Sequence, residues 1–205
     1  LFGEFAKLMG YQVAIGELFE KLYSNSLEGD SDCGGLLAYG YYSGENITMI
    51  NEGRLAFLRT PESHFNLANF MKAHLYTSLG AVKMGLDILM EEEKVKVNRI
   101  MGHGGFFKTK GVGQRYLAAA VGAPVTVMDT ASEGGAWGIA LLAAYLMNKK
   151  EDEKLENYLE NRIFGELSGE TVIPYEEDKK GFDVFMARYK AGLEIEKKAI
   201  EVMKW

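Results

Sequence analysis

The fold is decided by the stretch VKVNRIMGHGGFFKTKGVGQRYLAAAVGAPVTVMD, which occupies residues 95–129. Its first seven residues predict a β-strand that leads directly into a glycine-rich turn at 102–105. The pattern then predicts an amphipathic helix over 113–121, a second strand over 125–128 and a further helix over 133–145. This alternation predicts an α/β protein with parallel strands joined by a right-handed crossover.

The glycine-rich turn has the properties of a ligand-binding turn. Glycine adopts φ > 0 readily and lets a ligand approach the backbone closely, and Gly102, Gly104 and Gly105 provide three such positions. The turn follows a strand, where open α/β sheets bind ligands, and the next helix starts with unpaired N–H groups that favour an anion. The residues match neither common nucleotide-binding glycine motif. They therefore leave two interpretations open, a nucleotide-binding turn and a plain strand-to-helix turn.

The composition is that of an ordinary globular protein. The 205 residues suffice for one large domain or two small ones, and the net charge of −6 argues against a nucleic-acid partner. Cys33 is the single cysteine, which excludes an intrachain disulfide and favours a reducing, cytoplasmic setting. No apolar run reaches the roughly 18 residues of a membrane span, and no signal peptide is visible. Because the chain starts at Leu1 inside a helical pattern, we expect a fragment of a longer protein.

Helical patterns dominate the chain outside the central stretch. Residues 1–23 predict a helix with a break at Gly10, and Thr60 with Pro61 predicts the N-terminus of a helix that runs to Glu93. The sequence also predicts strands over 36–42 and 54–58, a charged helix over 148–161, a loop over 165–170 and an extended piece over 171–174. A final helix is predicted over 178–205, with Phe182, Phe185, Tyr189, Leu193, Ile195 and Ile200 as apolar contacts.

Three motifs together carry a resemblance to a known family. They are Gly104-Gly105, the strand start Gly122-Ala123-Pro124-Val125, and the helix 133–144 with the pattern E-x-x-A-x-G-x-A-L-x-A-A. In this order they resemble the C-terminal domain of the FGGY carbohydrate kinases. The resemblance implies an actin-like ATPase (ribonuclease H-like) fold and the C-terminal half of a two-domain sugar kinase. It implies that residues 1–205 are this nucleotide-binding domain, with a helical C-terminal extension over 146–205.

The resemblance also implies which residues contact nucleotide. Gly104 and Gly105 would let adenosine lie against the backbone, Phe106 could cover the base, and Lys108 or Thr109 could reach ribose or phosphate. His103 replaces a glycine of the family loop and is expected to be a hydrogen-bonded loop residue rather than a catalytic one. The glycines at 134, 135 and 138 are expected to let their helix pack closely on the sheet. The implied nucleotide-binding residues are Gly3, Lys7, Gly102, Gly104, Gly105, Phe106, Lys108 and Thr109.

The chemical half of such a kinase is missing from this sequence. A D-x-G-[ST] phosphate loop is absent, so catalytic and metal-binding residues are expected in an N-terminal sugar-binding domain outside this chain. The resemblance then implies ATP and Mg²⁺ as cofactors, and a sugar and the N-terminal domain as partners. It leaves a homodimer open, and neither nucleic acid nor a membrane is expected as a partner.

The resemblance implies one activity and leaves two alternatives. It implies transfer of the γ-phosphate of ATP to a sugar hydroxyl, with a ketopentose such as xylulose or ribulose as acceptor. The ketopentose rests on the loop between Gly104 and Val125, whose length resembles that of ribulokinases. The first alternative is a non-catalytic nucleotide-binding or regulatory module of the actin-like ATPase superfamily. The second is another actin-like ATPase, such as a chaperone nucleotide domain.

Overall fold

The computed structural model describes residues 1–128, 134–164 and 169–204. The predicted helix start at 129–133 and most of the loop predicted at 165–170 lie outside the described residues, as does Trp205. The described helices are α1 (Phe2–Leu8), α2 (Ile15–Asn25), α3 (Leu67–Asp87), α4 (Val112–Val121), α5 (Gly134–Asn148), α6 (Leu155–Leu159) and α7 (Glu176–Val202). The described strands are β1 (Leu37–Tyr39), β2 (Ala56–Leu58), β3 (Ile100–Gly102), β4 (Val125–Met128) and β5 (Gly169–Val172).

The strands form two small sheets. β1 and β2 pair as an antiparallel hairpin, whereas β4 lies between β3 and β5 in a three-stranded sheet. β3 is parallel to β4, with Ile100 opposite Val125 and Gly102 opposite Val127, which confirms the predicted parallel pair. β3 is shorter than predicted because its pairing begins only at Ile100, whose amide donates to the Pro124 carbonyl at 2.9 Å.

The region 146–205 combines helices with one strand, and the extended piece expected at 171–174 overlaps that strand. This strand is β5, and it pairs antiparallel with β4, placing Thr171 opposite Thr126. The hydroxyls of these two threonines lie 2.7 Å apart. The physical reason is that β4 leaves an open edge, and the β-branched pair Thr171 and Val172 suits a strand on that edge.

The N-terminus of α3 differs from its prediction. The break predicted at Gly10 separates α1 from α2, but α3 begins at Leu67 instead of following Thr60. Asn66 is the N-cap, and its Oδ1 accepts from the amide of Asn69 at 2.8 Å. The Thr60 amide is satisfied locally, because it donates to the Ser63 hydroxyl at 2.9 Å. A tight turn at 60–63 therefore replaces the first helical turn that the sequence favoured.

α3, α4 and α7 enclose an aromatic core. The ring of Tyr76 on α3 lies 5.0 Å from that of Tyr116 on α4 and 4.7 Å from that of Phe182 on α7. The predicted contacts of the final helix are buried at Phe182, Phe185, Tyr189 and Leu193, whereas the prediction for Ile195 was wrong because it is exposed. α7 therefore belongs to the same core as the central stretch.

An ion pair fastens α7 to α4. The guanidinium of Arg115 on α4 contacts both carboxylate oxygens of Asp178, at 2.5 and 3.0 Å. Asp178 is only 2% exposed, so this carboxylate depends on Arg115 for compensation of its charge. Among the described residues, no helix is both long and apolar enough to cross a membrane.

Candidate functional site

The turn after β3 depends on a backbone conformation that glycine alone adopts readily. Gly104 has φ 96° and ψ −173°, a region in which other residues are strained by about 1–3 kcal/mol. Gly102 is constrained by space instead, because a Cβ there would lie 2.7 Å from the ring of Phe107. Gly105 has neither constraint, since its φ is not left-handed and a Cβ would meet no atom within 4 Å.

A short helical turn separates the glycine turn from α4. Residues Gly105–Phe107 form this turn, and α4 begins only at Val112. The amides of Phe107 and Lys108 donate to the carbonyls of Gly104 and Gly105 at 3.1 and 3.2 Å. α4 therefore begins within one residue of its predicted start at 113, and its N-terminus does not directly follow the glycine turn.

The glycine turn forms one wall of a cleft whose other wall is α2. The cleft encloses about 660 Å³. Its glycine-turn wall includes Gly105, Lys108 and Thr109, so three of the predicted nucleotide residues are brought together. The full set of lining residues is Gly16, Phe19, Glu20, Tyr23, Ser24, Gly105, Lys108, Thr109 and Lys110.

The two walls differ in chemistry. α2 presents the rings of Phe19 and Tyr23, which lie 5.8 Å apart edge to face, and Phe19 is exposed. The opposite wall carries Lys108 and Lys110, and Lys110 forms a 2.9 Å ion pair with Glu170. Such a cleft can hold a flat ring against an aromatic side chain and an anionic group near a lysine.

Other predicted residues lie outside the lining of this cleft. A Cβ on Gly3 would lie 3.5 Å from Leu18, so this glycine faces the packing of α1 on α2. Lys7 is exposed on α1 and is not part of the cleft lining. Phe106 packs against the start of α4, where a Cβ on Gly113 would lie 2.5 Å from the Phe106 carbonyl. Gly102 and Gly104 shape the turn without lining the cleft.

His103 lies in the same turn but contacts a different part of the molecule. Its ring packs near Trp137 of α5 at 6.0 Å, and it lines a second groove of about 480 Å³ with Arg99 and Glu160. Its Nδ1 is buried and has no hydrogen-bond partner among the described residues. This nitrogen therefore lacks the loop hydrogen bond that the sequence led us to expect.

Sequence reasoning missed the aromatic wall. Phe19 and Tyr23 are spaced i and i+4 on α2, which is the same signal that an ordinary core helix gives. As for metal sites, the described ranges bring no three His, Cys, Asp or Glu side chains together in a way that could hold an ion.

Comparison with known proteins supports one family. A sequence model described as the FGGY family of carbohydrate kinases, C-terminal domain, matches residues 7–147. A search of curated proteins finds no match. Solved kinases share the fold of this chain at low sequence identity.

Three of these solved structures illustrate the likeness. Xylulose kinase from Rhodospirillum rubrum matches with TM-score 0.65 and 17% identity over 89% of this chain and 35% of its own. Gluconate kinase from Lactobacillus acidophilus matches with TM-score 0.67 and 15% identity over 90% and 35%. Glycerol kinase from Plasmodium falciparum, solved with ADP, matches with TM-score 0.59 and 12% identity over 86% and 33%.

This chain therefore spans between 33% and 35% of the length of those three kinases. Its mixed α/β architecture matches their C-terminal domains, which have the actin-like ATPase (ribonuclease H-like) fold, as predicted. The family match covers both walls of the cleft, from α2 to the turn after β3, and extends through most of α5. The chain belongs to the FGGY family of carbohydrate kinases, and its residues 7–147 match the C-terminal domain of that family.

Proposed function

We propose that this chain is the ATP-binding half of a carbohydrate kinase that transfers the γ-phosphate of ATP to a sugar hydroxyl. The observation that carries the proposal is the cleft of about 660 Å³ between α2 and the glycine turn. It joins an aromatic wall, a backbone wall and lysines, which are the chemical features that a nucleotide requires.

Each part of the cleft has a role in this proposal. Adenine stacks on the exposed ring of Phe19, an interaction worth about 1–3 kcal/mol in other proteins that bind bases. Gly105 leaves the opposite wall open, because no side chain projects from it. Lys108 attracts the phosphates, and Thr109 offers a hydroxyl to ribose or phosphate. Lys108 is exposed, so its contribution is screened by salt.

The acceptor chemistry belongs to the rest of the polypeptide. We place the sugar pocket, the catalytic base and the Mg²⁺ ligands in an N-terminal domain outside this chain, because the chain spans about a third of the length of the similar kinases and its sequence lacks a D-x-G-[ST] phosphate loop. Phosphoryl transfer relies mainly on positioning and charge stabilisation. The task of this chain is then to hold ATP so that its γ-phosphate faces the sugar, while residues 146–205 complete the domain.

We propose a ketopentose as the acceptor. The loop between Gly104 and Val125 resembles that of ribulokinases in length, and several of the similar structures are xylulose kinases. The other similar structures include a gluconate kinase and a glycerol kinase, so the fold by itself selects no sugar.

The nucleotide site is tested by calorimetric titration of the intact kinase with ATP. Phe19→Ala should weaken ATP binding about five- to a hundredfold, because it removes one stacking surface. Phe5→Ala is the matched control, since Phe5 is also an exposed phenylalanine but lies on α1, away from the cleft. Equal ATP affinity for the two variants would mean that adenine does not stack on Phe19.

The acceptor is tested with a coupled ADP assay on ketopentoses, ketohexoses, gluconate and glycerol. We expect the highest kcat/KM for a ketopentose. A higher kcat/KM for any other class of acceptor would contradict the ketopentose assignment but not the proposed kinase function. ATP binding without phosphorylation of any sugar or polyol would favour the regulatory alternative instead.

A further inference from the structure

The α2 wall of the cleft carries two neighbouring stripes of residues. Phe19 and Tyr23 form the aromatic stripe, whereas Gly16, Glu20 and Ser24 form a second stripe at intervals of four residues. Residues four apart lie on the same side of a helix, one turn above the other, so the second stripe runs alongside the first. We call it the polar stripe. A ring that stacks on Phe19 therefore has the polar stripe beside it.

Among the described residues that line the cleft, Glu20 alone is acidic. Its side chain is exposed, and its carboxylate has no hydrogen-bond or ion-pair partner in the described part of the chain. Gly16, one helical turn earlier, leaves space beside it, because a Cβ there would meet no atom within 4 Å. The carboxylate oxygens can therefore accept hydrogen bonds from a ligand in the cleft.

The charges of the two walls determine how a nucleotide lies in the cleft. Lys108 on the glycine-turn wall attracts the phosphates, whereas the carboxylate of Glu20 on α2 repels them. The uncharged half of the nucleotide, its base and ribose, then lies along α2. Because the ribose is joined directly to the base that stacks on Phe19, it comes next to the polar stripe.

We propose that Glu20 accepts hydrogen bonds from the 2′- and 3′-hydroxyls of the ribose and thereby selects ribonucleotides over 2′-deoxynucleotides. This inference rests on the proposed function and adds the residue that recognises the sugar of the nucleotide. An ionised carboxylate accepts hydrogen bonds and donates none, so it needs donors on the ligand. The two adjacent hydroxyls can each donate to one of its oxygens. The adenine amino group suits it less, because ring nitrogens that are acceptors flank that group.

Calorimetric titration of the intact kinase with ATP, 2′-deoxy-ATP and inosine triphosphate tests this assignment. We expect 2′-deoxy-ATP to bind about five- to twentyfold more weakly than ATP, because one hydrogen bond to the carboxylate is lost. Glu20 is exposed, so solvent competes for it and the expected factor is smaller than for a buried hydrogen bond to a charged group. Inosine triphosphate lacks the amino group but keeps both hydroxyls, and it should bind within about twofold of ATP.

Glu20→Ala is the diagnostic variant, and Glu17→Ala is its matched control. Both residues are exposed glutamates of α2, but Glu17 does not line the cleft. Glu20→Ala should reduce the difference in affinity between ATP and 2′-deoxy-ATP to less than about twofold, whereas Glu17→Ala should keep the wild-type ratio. The ratio isolates the hydroxyl contact, because the two nucleotides carry the same phosphates and gain equally when a negative charge is removed.

The outcomes separate this inference from the proposed function. Equal affinity of the intact kinase for ATP and 2′-deoxy-ATP, or an unchanged ratio in Glu20→Ala, would overturn the role of Glu20 and leave the nucleotide site in place. A preference for ATP over inosine triphosphate that Glu20→Ala abolishes would also overturn it, because the carboxylate would then bind the base. Failure of the intact kinase to bind any of the three nucleotides would overturn the inference and the proposed function together.

Discussion

A pair of glycine substitutions tests the geometry of the turn after β3. We expect Gly104→Ala to be less stable than Gly105→Ala by about 1–3 kcal/mol, the cost of placing a side chain at φ 96° and ψ −173°. Neither new Cβ meets an atom within 4 Å, so no steric clash adds to the difference. Both substitutions also restrict the unfolded chain by the same amount, about 0.4–1 kcal/mol, and this contribution cancels between them.

Urea unfolding at 25 °C measures the difference directly. Gly105 lies in a helical turn that alanine adopts without strain, so Gly105→Ala should match or slightly exceed the wild-type free energy of unfolding. For a chain of this size, 1 kcal/mol corresponds to a shift in Tm of roughly 2–4 °C. Equal unfolding free energies for the two variants, with unchanged urea dependence, would refute the argument that the backbone of Gly104 requires glycine.

Three further variants test the ion pair, a buried carboxyl group and the charge of the cleft. Asp178→Asn should lower the free energy of unfolding by about 3 kcal/mol. This value is at the low end for breaking a buried ion pair, because Arg115 reaches solvent. An unchanged free energy of unfolding, measured with urea, would contradict this prediction. Burial raises the pKa of Glu196. The contribution of this carboxyl group to the free energy of unfolding is therefore present below about pH 4.5 and is lost as the pH rises through the folded-state pKa. Glu196→Gln should therefore stabilise the protein at pH 7.5 but not at pH 4, and equal gains at both pH values would disprove it. Lys108→Met should weaken ATP binding about two- to fivefold at low salt, whereas Lys7→Met should leave the calorimetric affinity unchanged because Lys7 does not line the cleft.

The central stretch was predictable because its signals are local. Gly122 has φ 71° and ends α4, and Pro124 directly precedes β4, so the boundaries there follow from residues adjacent in sequence. The start of α3 was not predictable in the same way. Thr60 and Asn66 are both competent N-caps, and the choice depends on the Ser63 hydroxyl, which accepts from the Thr60 amide and also donates to the Gly35 carbonyl at 3.3 Å. A contact across 28 residues of chain leaves no periodic signal in the sequence.

The candidate site shows the same division between local and distant information. The glycine turn can be predicted from consecutive residues, because Gly104 must adopt a backbone conformation that other residues avoid. The aromatic wall has no such local signal in the sequence. Phe19 and Tyr23 lie some 80 residues before the turn, and they face the cleft only because α2 packs on α3. The family resemblance implied that both Lys7 and Lys108 contact the nucleotide. In the fold, Lys108 lines the cleft and Lys7 does not. The ATP affinities of Lys108→Met and Lys7→Met therefore test whether this difference in position matters for binding.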